Sequence, residues 1–163
     1  MEIVEIAVYT FDELEDKAKE KAREWYRSDL DYPWFREAID SIRAFVHHFD
    51  AELEDWSIGS GSGRDYIKTS ATKDNFRGVK LKDIHRDYMP TGYCLDADLW
   101  GEFYRVFENT GDAKYAFEQA LEEAILGIQR DIDYQYSDEC VDETLIINEY
   151  RFTETGKFFE RAT

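Results

Sequence analysis

The spacing of apolar residues along the chain changes several times, and each change marks an element. From Glu2 to Tyr9, Ile3, Ile6 and Val8 stand among acidic or small residues, which predicts a strand. Thr10 and Glu13 form a capping-box pair, so a first helix is expected from there to about Arg27, with Leu14, Ala18, Ala22 and Trp25 on one face. Asp31-Tyr32-Pro33 marks a second helix start, and Phe35, Ile39, Ile42, Val46 and Phe49 supply its buried stripe. From Ala51 to about Thr72 the period shortens toward two. Leu53, Trp56 and Ile58, then Tyr66 and Ile67, predict two strands joined by the glycine-serine run at 59–63. Residues 73–95 show little periodicity and suggest one strand with an irregular segment.

Asp96 or Asp98 opens a third helix carrying Leu99, Phe103, Val106 and Phe107, which Thr110-Gly-Asp112 breaks. A long fourth helix follows to about Tyr134, with Phe117, Ala120, Leu121, Ala124 and Ile128 inward and Tyr115 and Leu126 on the opposite side. Ser137 caps a fifth helix through Ile147. Glu149–Thr153 and Lys157–Glu160 then flank Glu154-Thr-Gly156 as a terminal hairpin. Strands at both ends around helices predict an α+β fold: a small, mostly antiparallel sheet packed with about five helices. At 163 residues, with two Pro and nine Gly, a single domain over 1–163 is expected.

Charge adds the next constraint. The chain has 37 acidic and 20 basic residues, a net charge of −17. Residues 1–55 hold 16 acids and 7 bases, residues 96–163 hold 17 and 6, and residues 56–95 reverse the sign with 4 and 7. Such a field repels nucleic acid and membrane surfaces and attracts basic partners. Its 26 aromatic residues separate the chain from disordered acidic tails. Cys94 and Cys140 lack any zinc or disulfide spacing, which points to free thiols. No basic n-region opens the chain and no apolar run approaches 18 residues, so a soluble cytoplasmic protein is expected.

The densest acidic run is Asp131, Asp133, Asp138, Glu139, Asp142 and Glu143, six carboxylates without a base in 13 residues, interleaved with Tyr134 and Tyr136. A second run comprises Asp50, Glu52, Glu54 and Asp55. Carboxylates on a rigid frame can take the places of phosphates in a basic groove, since duplex DNA carries one charge per about 1.7 Å of axis. Rim tyrosines would add packing at such a contact. The plainer reading is a solvated surface kept soluble by its charge.

Residues 131–142 also echo a calcium loop, but Tyr136 stands where the turn needs Gly and Asp142 where a bidentate Glu is needed. His47 and His48 point about 100° apart on a helix and cannot share a metal unaided. Neither a metal nor another cofactor is expected. The glycine run before Arg64 lacks the Lys-Ser/Thr ending of a phosphate loop. Arg64, Lys68, Lys73, Arg77, Lys80, Lys82 and Arg86 are expected to pair with the acidic thirds, within the chain or across an oligomer. No nucleophile signature is present, so the expectation is a binding protein and not an enzyme.

Val8-Tyr-Thr-Phe-Asp-Glu-Leu14, Ala18-Lys-Glu-Lys-Ala-Arg-Glu-Trp-Tyr-Arg27, Asn109-Thr-Gly-Asp112, Tyr134-Gln-Tyr-Ser-Asp-Glu139 and Asn148-Glu-Tyr-Arg-Phe-Thr-Glu-Thr-Gly-Lys157 together resemble a family of small acidic bacteriophage and prophage proteins. The resemblance covers roughly 2–27 and 93–159 and leaves 59–92 unmatched. It brings no catalytic residues. It implies a phage setting and an inhibitor of host defence, of anti-CRISPR or anti-restriction type. The partner would be a defence nuclease or CRISPR effector with a basic nucleic-acid channel, with no direct binding of nucleic acid or membrane. The alternative is a non-catalytic phage assembly or housekeeping protein that self-associates, for example as a homodimer, through Tyr115 and Leu126.

Overall fold

In the computed structural model, which describes residues 1–61 and 63–160, the fold is α+β. In chain order the elements are β1 (Tyr9–Thr10), α1 (Asp16–Ser28), α2 (Phe35–His48), β2 (Leu53–Ser57), β3 (Tyr66–Thr69), α3 (Leu95–Thr110), α4 (Ala113–Tyr136), α5 (Asp138–Ile147) and β4 (Arg151–Phe152). The strands form two antiparallel pairs, β1 with β4 and β2 with β3. Two compact units emerge, one of residues 1–32 and 133–163, the other of residues 33–132.

In the first unit, α1 presents Ala18 and Ala22 to Val141 and Leu145 of α5, with Phe11, Leu14 and Phe152 completing the core. Small residues on α1 let a second helix approach closely. The terminal hairpin forms as expected. Phe152 bridges Phe158, Thr153 N–H donates to Lys157 O at 2.8 Å, and Phe158 stacks on Trp25 with ring centroids 4.1 Å apart.

The structure corrects two expectations in this unit. The N-terminal strand shrinks to Tyr9–Thr10, because β4 is only two residues long before the hairpin turns away; residues 1–8 join no strand. The capping box at Thr10 and Glu13 does form, with Thr10 N–H donating to Glu13 Oε2 at 2.7 Å. It closes one 3-10 turn, however, and α1 begins only at Asp16. Leu14 lies between them in extended backbone, and its side chain is buried.

The second unit is built on aromatic packing. Phe45 of α2 is fully buried, stacked on Phe117 of α4 and edge-on to Trp100 and Phe103 of α3. The α2 and α4 stripes predicted from spacing face inward, with Ala38, Ser41 and Phe45 added to the first and Phe35 only half-buried. Gly111, at φ 67°, ends α3 in a left-handed cap, within the break expected at Thr110-Gly-Asp112. Residues 73–95 hold no strand. They form two 3-10 turns, Lys73–Phe76 and Leu81–Asp83, each too short to show a period. The segment is tied down at Asp96, whose buried Oδ2 accepts from the Thr91 amide and hydroxyl at 2.9 Å and from the Gly92 amide at 3.0 Å.

Candidate acidic docking surface

The first acidic run lies where α4 ends and α5 begins. Ser137 separates the helices and caps the second, its hydroxyl accepting from the Cys140 amide. Asp138 and Glu139 therefore occupy the first turn of α5, where a helix dipole favours negative charge. Part of this acidity is helix-start chemistry.

Two of the six carboxylates are neutralised inside the unit. Arg23 of α1 donates to Asp142 in a bidentate pair, Nε to Oδ1 at 2.7 Å and Nη2 to Oδ2 at 2.8 Å. One turn further, Arg27 donates through Nη2 to Asp138 and through Nε to Tyr136 O at 2.9 Å. The pairings 23 with 142 and 27 with 138 run in opposite senses along the two helices, so they set an antiparallel register. The Arg27 hydrogen bond holds the Asp138 carboxyl below its usual range, with Arg23 adding a weaker pull. The hydrogen bond from Arg23 to Asp142 holds the Arg23 guanidinium above its ordinary value.

The side chains of Arg23 and Asp142 are 18% and 27% exposed, so the pair is screened less than a surface one. Arg23→Ala is expected to destabilise the protein by roughly 1–3 kcal/mol. A double-mutant cycle with Asp142→Ala in urea should show coupling of about 1 kcal/mol or more. The Asp138 contribution, from a depressed pKa, is present above the unfolded value near 4 and lost as pH falls through the folded one.

Three further members have no such partner among the described residues. Asp133, Glu139 and Glu143 are exposed and enter no ion pair among the described residues. Glu139 and Glu143 act on Tyr134, which is itself 45% exposed. Its hydroxyl pKa is raised by negative charge at Cys140 first, then at Glu143, then by burial and Glu139. Tyr136 is committed internally, its hydroxyl donating to Leu30 O. Asp131 belongs to the other unit and is half-buried. The calcium-loop echo disappears, because 131–136 and 138–142 are helical and Asp138 and Asp142 already face arginines.

The second run lies in the other unit. Asp50 follows α2 in left-handed backbone at φ 57°. Glu52 meets His47 Nε2 at 2.8 Å. Asp55 accepts from the Tyr66 hydroxyl at 2.7 Å and from the Trp56 amide at 2.8 Å, and the first of these bonds raises the Tyr66 pKa. Glu54 is exposed. This run is thus partly engaged by the β2–β3 hairpin and the end of α2.

The basic segment behaves differently from expectation. Of its seven bases only Arg77 makes an ion pair among the described residues, and that is with Asp74 of the same segment at 2.8 Å. Among the described residues, none of the seven pairs with the acidic thirds within the chain. His48 lies edge-on to Trp100 with centroids 4.7 Å apart, and burial lowers its pKa. A cleft of about 330 Å³ between α3 and α4 is lined by Asp98, Glu102, Arg105 and Glu123; burial and then Glu123 raise the Asp98 pKa.

Sequence reasoning missed Arg23 and Arg27 as functional neighbours of the acidic run, since α1 alone reads as a balanced solvated face. The available signal was spacing: two arginines four residues apart and two aspartates four residues apart. Comparison with known proteins gives no match, whether to a family model, a curated protein or a solved structure.

Proposed function

We propose that this chain is a phage-encoded inhibitor of a host defence system, of anti-CRISPR or anti-restriction type. It acts in the bacterial cytosol by occupying the basic nucleic-acid channel of a defence nuclease complex. The observation that carries this reading is the set Asp133, Glu139 and Glu143, the last two acting on Tyr134: three exposed carboxylates with no ion-pair partner among the described residues, beside two that are neutralised. An acidic group left uncompensated on rigid helices is available to Lys and Arg of a partner, and Tyr134 offers a ring to pack at the contact. Asp138 and Asp142 act from behind by fixing α5 on α1. No helix among the described residues is long and apolar enough to cross a membrane, which accords with a partner met off the bilayer.

DNA cleavage by purified CRISPR effector–guide complexes and restriction endonucleases, with the chain added, tests the reading. Inhibition should be relieved by excess duplex DNA and should weaken steeply as salt rises. The triple reversal Asp133→Lys, Glu139→Lys, Glu143→Lys should weaken inhibition on the order of 100-fold. Inhibition that ignores both salt and the triple reversal, or its absence across such a panel, overturns the reading. The self-associating alternative keeps one supporting observation: Tyr115 and Leu126 are 44% and 48% exposed, and eleven residues of helix return them to one side of α4.

A further inference from the structure

The N-terminal segment carries the largest exposed set of apolar side chains next to an open strand edge. Ile3, Val4, Ile6 and Val8 are 81%, 70%, 59% and 39% exposed. They lead directly into β1, which pairs on one side with β4 and forms the edge of that two-stranded sheet. The ladder stops at Tyr9 opposite Phe152, because the chain turns at Thr153–Gly156 and has no further strand to offer. A β-branched, alternating segment running on from a sheet edge is a template for another strand.

We propose that residues 3–9 pair antiparallel with the same residues of a second copy, with the two-fold axis at Ile6. The choice of register follows from charge and side-chain alternation. In extended backbone Val4, Ile6 and Val8 share one face, and Ile3, Glu5, Ala7 and Tyr9 the other. A two-fold at Glu5 sets Glu5 directly against its own copy, which is destabilising. A two-fold between Glu5 and Ile6 mixes the two faces and places Glu5 opposite Ile6. A two-fold at Ile6 pairs Val4 with Val8, Ile6 with itself and Glu5 with Ala7. Six β-branched side chains then lie side by side, and no two carboxylates face each other.

The resulting sheet has the order β4, segment, segment, β4, so each existing strand pair extends into a four-stranded sheet across an isologous contact. Two copies of net charge −17 repel, so added salt should strengthen this contact. The proposed target binding weakens with salt, so the two readings fail separately.

Analytical ultracentrifugation of the full chain at low and high salt tests the contact. A dimer favoured by salt is expected. Ile6→Lys should weaken it at least about tenfold, while Leu126→Glu should leave it in place. In a Cys94→Ser, Cys140→Ser background, Ile6→Cys should cross-link on oxidation far faster than Ile3→Cys, since only the residue on the axis meets itself. A monomer at both salt levels, a dimer lost in Leu126→Glu but retained in Ile6→Lys, or equal cross-linking of the two cysteine variants overturns the proposal.

Discussion

Gly156→Ala is expected to undock the terminal hairpin from α1 and to cost roughly 3–5 kcal/mol. Gly156 sits at φ +87°, where L side chains are strained, but the steric clash outweighs that strain. A Cβ at this position would lie 2.1 Å from the Ala18 carbonyl oxygen and 2.8 Å from its carbon. Those atoms are helix backbone and cannot rotate aside. Relief requires the 153–157 turn to lift, which would pull Phe152 and Phe158 off the core and off Trp25. Trp25 contacts Tyr150, Phe152 and Phe158, so its fluorescence reports the change directly. Gly78→Ala provides the comparison. It shares a positive φ of +74° but has no atom within 4 Å of its Cβ, so only the backbone strain of about 1 kcal/mol should appear. Equal urea midpoints for the two variants would refute the steric account.

Phe45→Ala should have a comparable effect in the other unit, about 3–5 kcal/mol. The ring is fully buried and lies within 4.9–6.0 Å, centroid to centroid, of Trp100, Phe117, Phe49 and Phe103. Three helices meet there, so its removal leaves a cavity that stiff aromatic neighbours cannot collapse to fill. Phe45→Leu keeps most of the volume and should cost roughly half as much. Calorimetry and amide exchange of α2 and α3 check both variants. An alanine variant within about 1 kcal/mol of the parent would show that the aromatic cluster is looser than its geometry implies.

Phe45 and Gly156 also separate what could be read along the chain from what could not. The apolar stripe containing Ile39, Ile42 and Val46 is a local period, so the inward face of α2 was legible, although Phe45 itself falls outside the predicted stripe. The cap at Ser137 and the helix break at Gly111 were legible because a single side chain or a single glycine decides them. The Gly156 contact was not, since nothing within the hairpin reveals that a carbonyl of residue 18 waits beneath it. The Glu2–Tyr9 segment shows the opposite failure. Its alternation was real, but a strand needs a partner's amides, and β4 supplies only two residues of ladder.

The acidic surface divides along the same line. Composition determined that the chain is strongly negative and that carboxylates crowd 131–143. Local pattern determined that they flank a capped helix start. Only the packing of α1 against α5 decided that Asp138 and Asp142 are engaged by Arg27 and Arg23, and that Asp133, Glu139 and Glu143 are not. Helix periods and caps are short-range and are written in neighbouring residues. Compensation of a charge falls off over a few ångströms through space, and residues 23 and 142 become neighbours only in the fold.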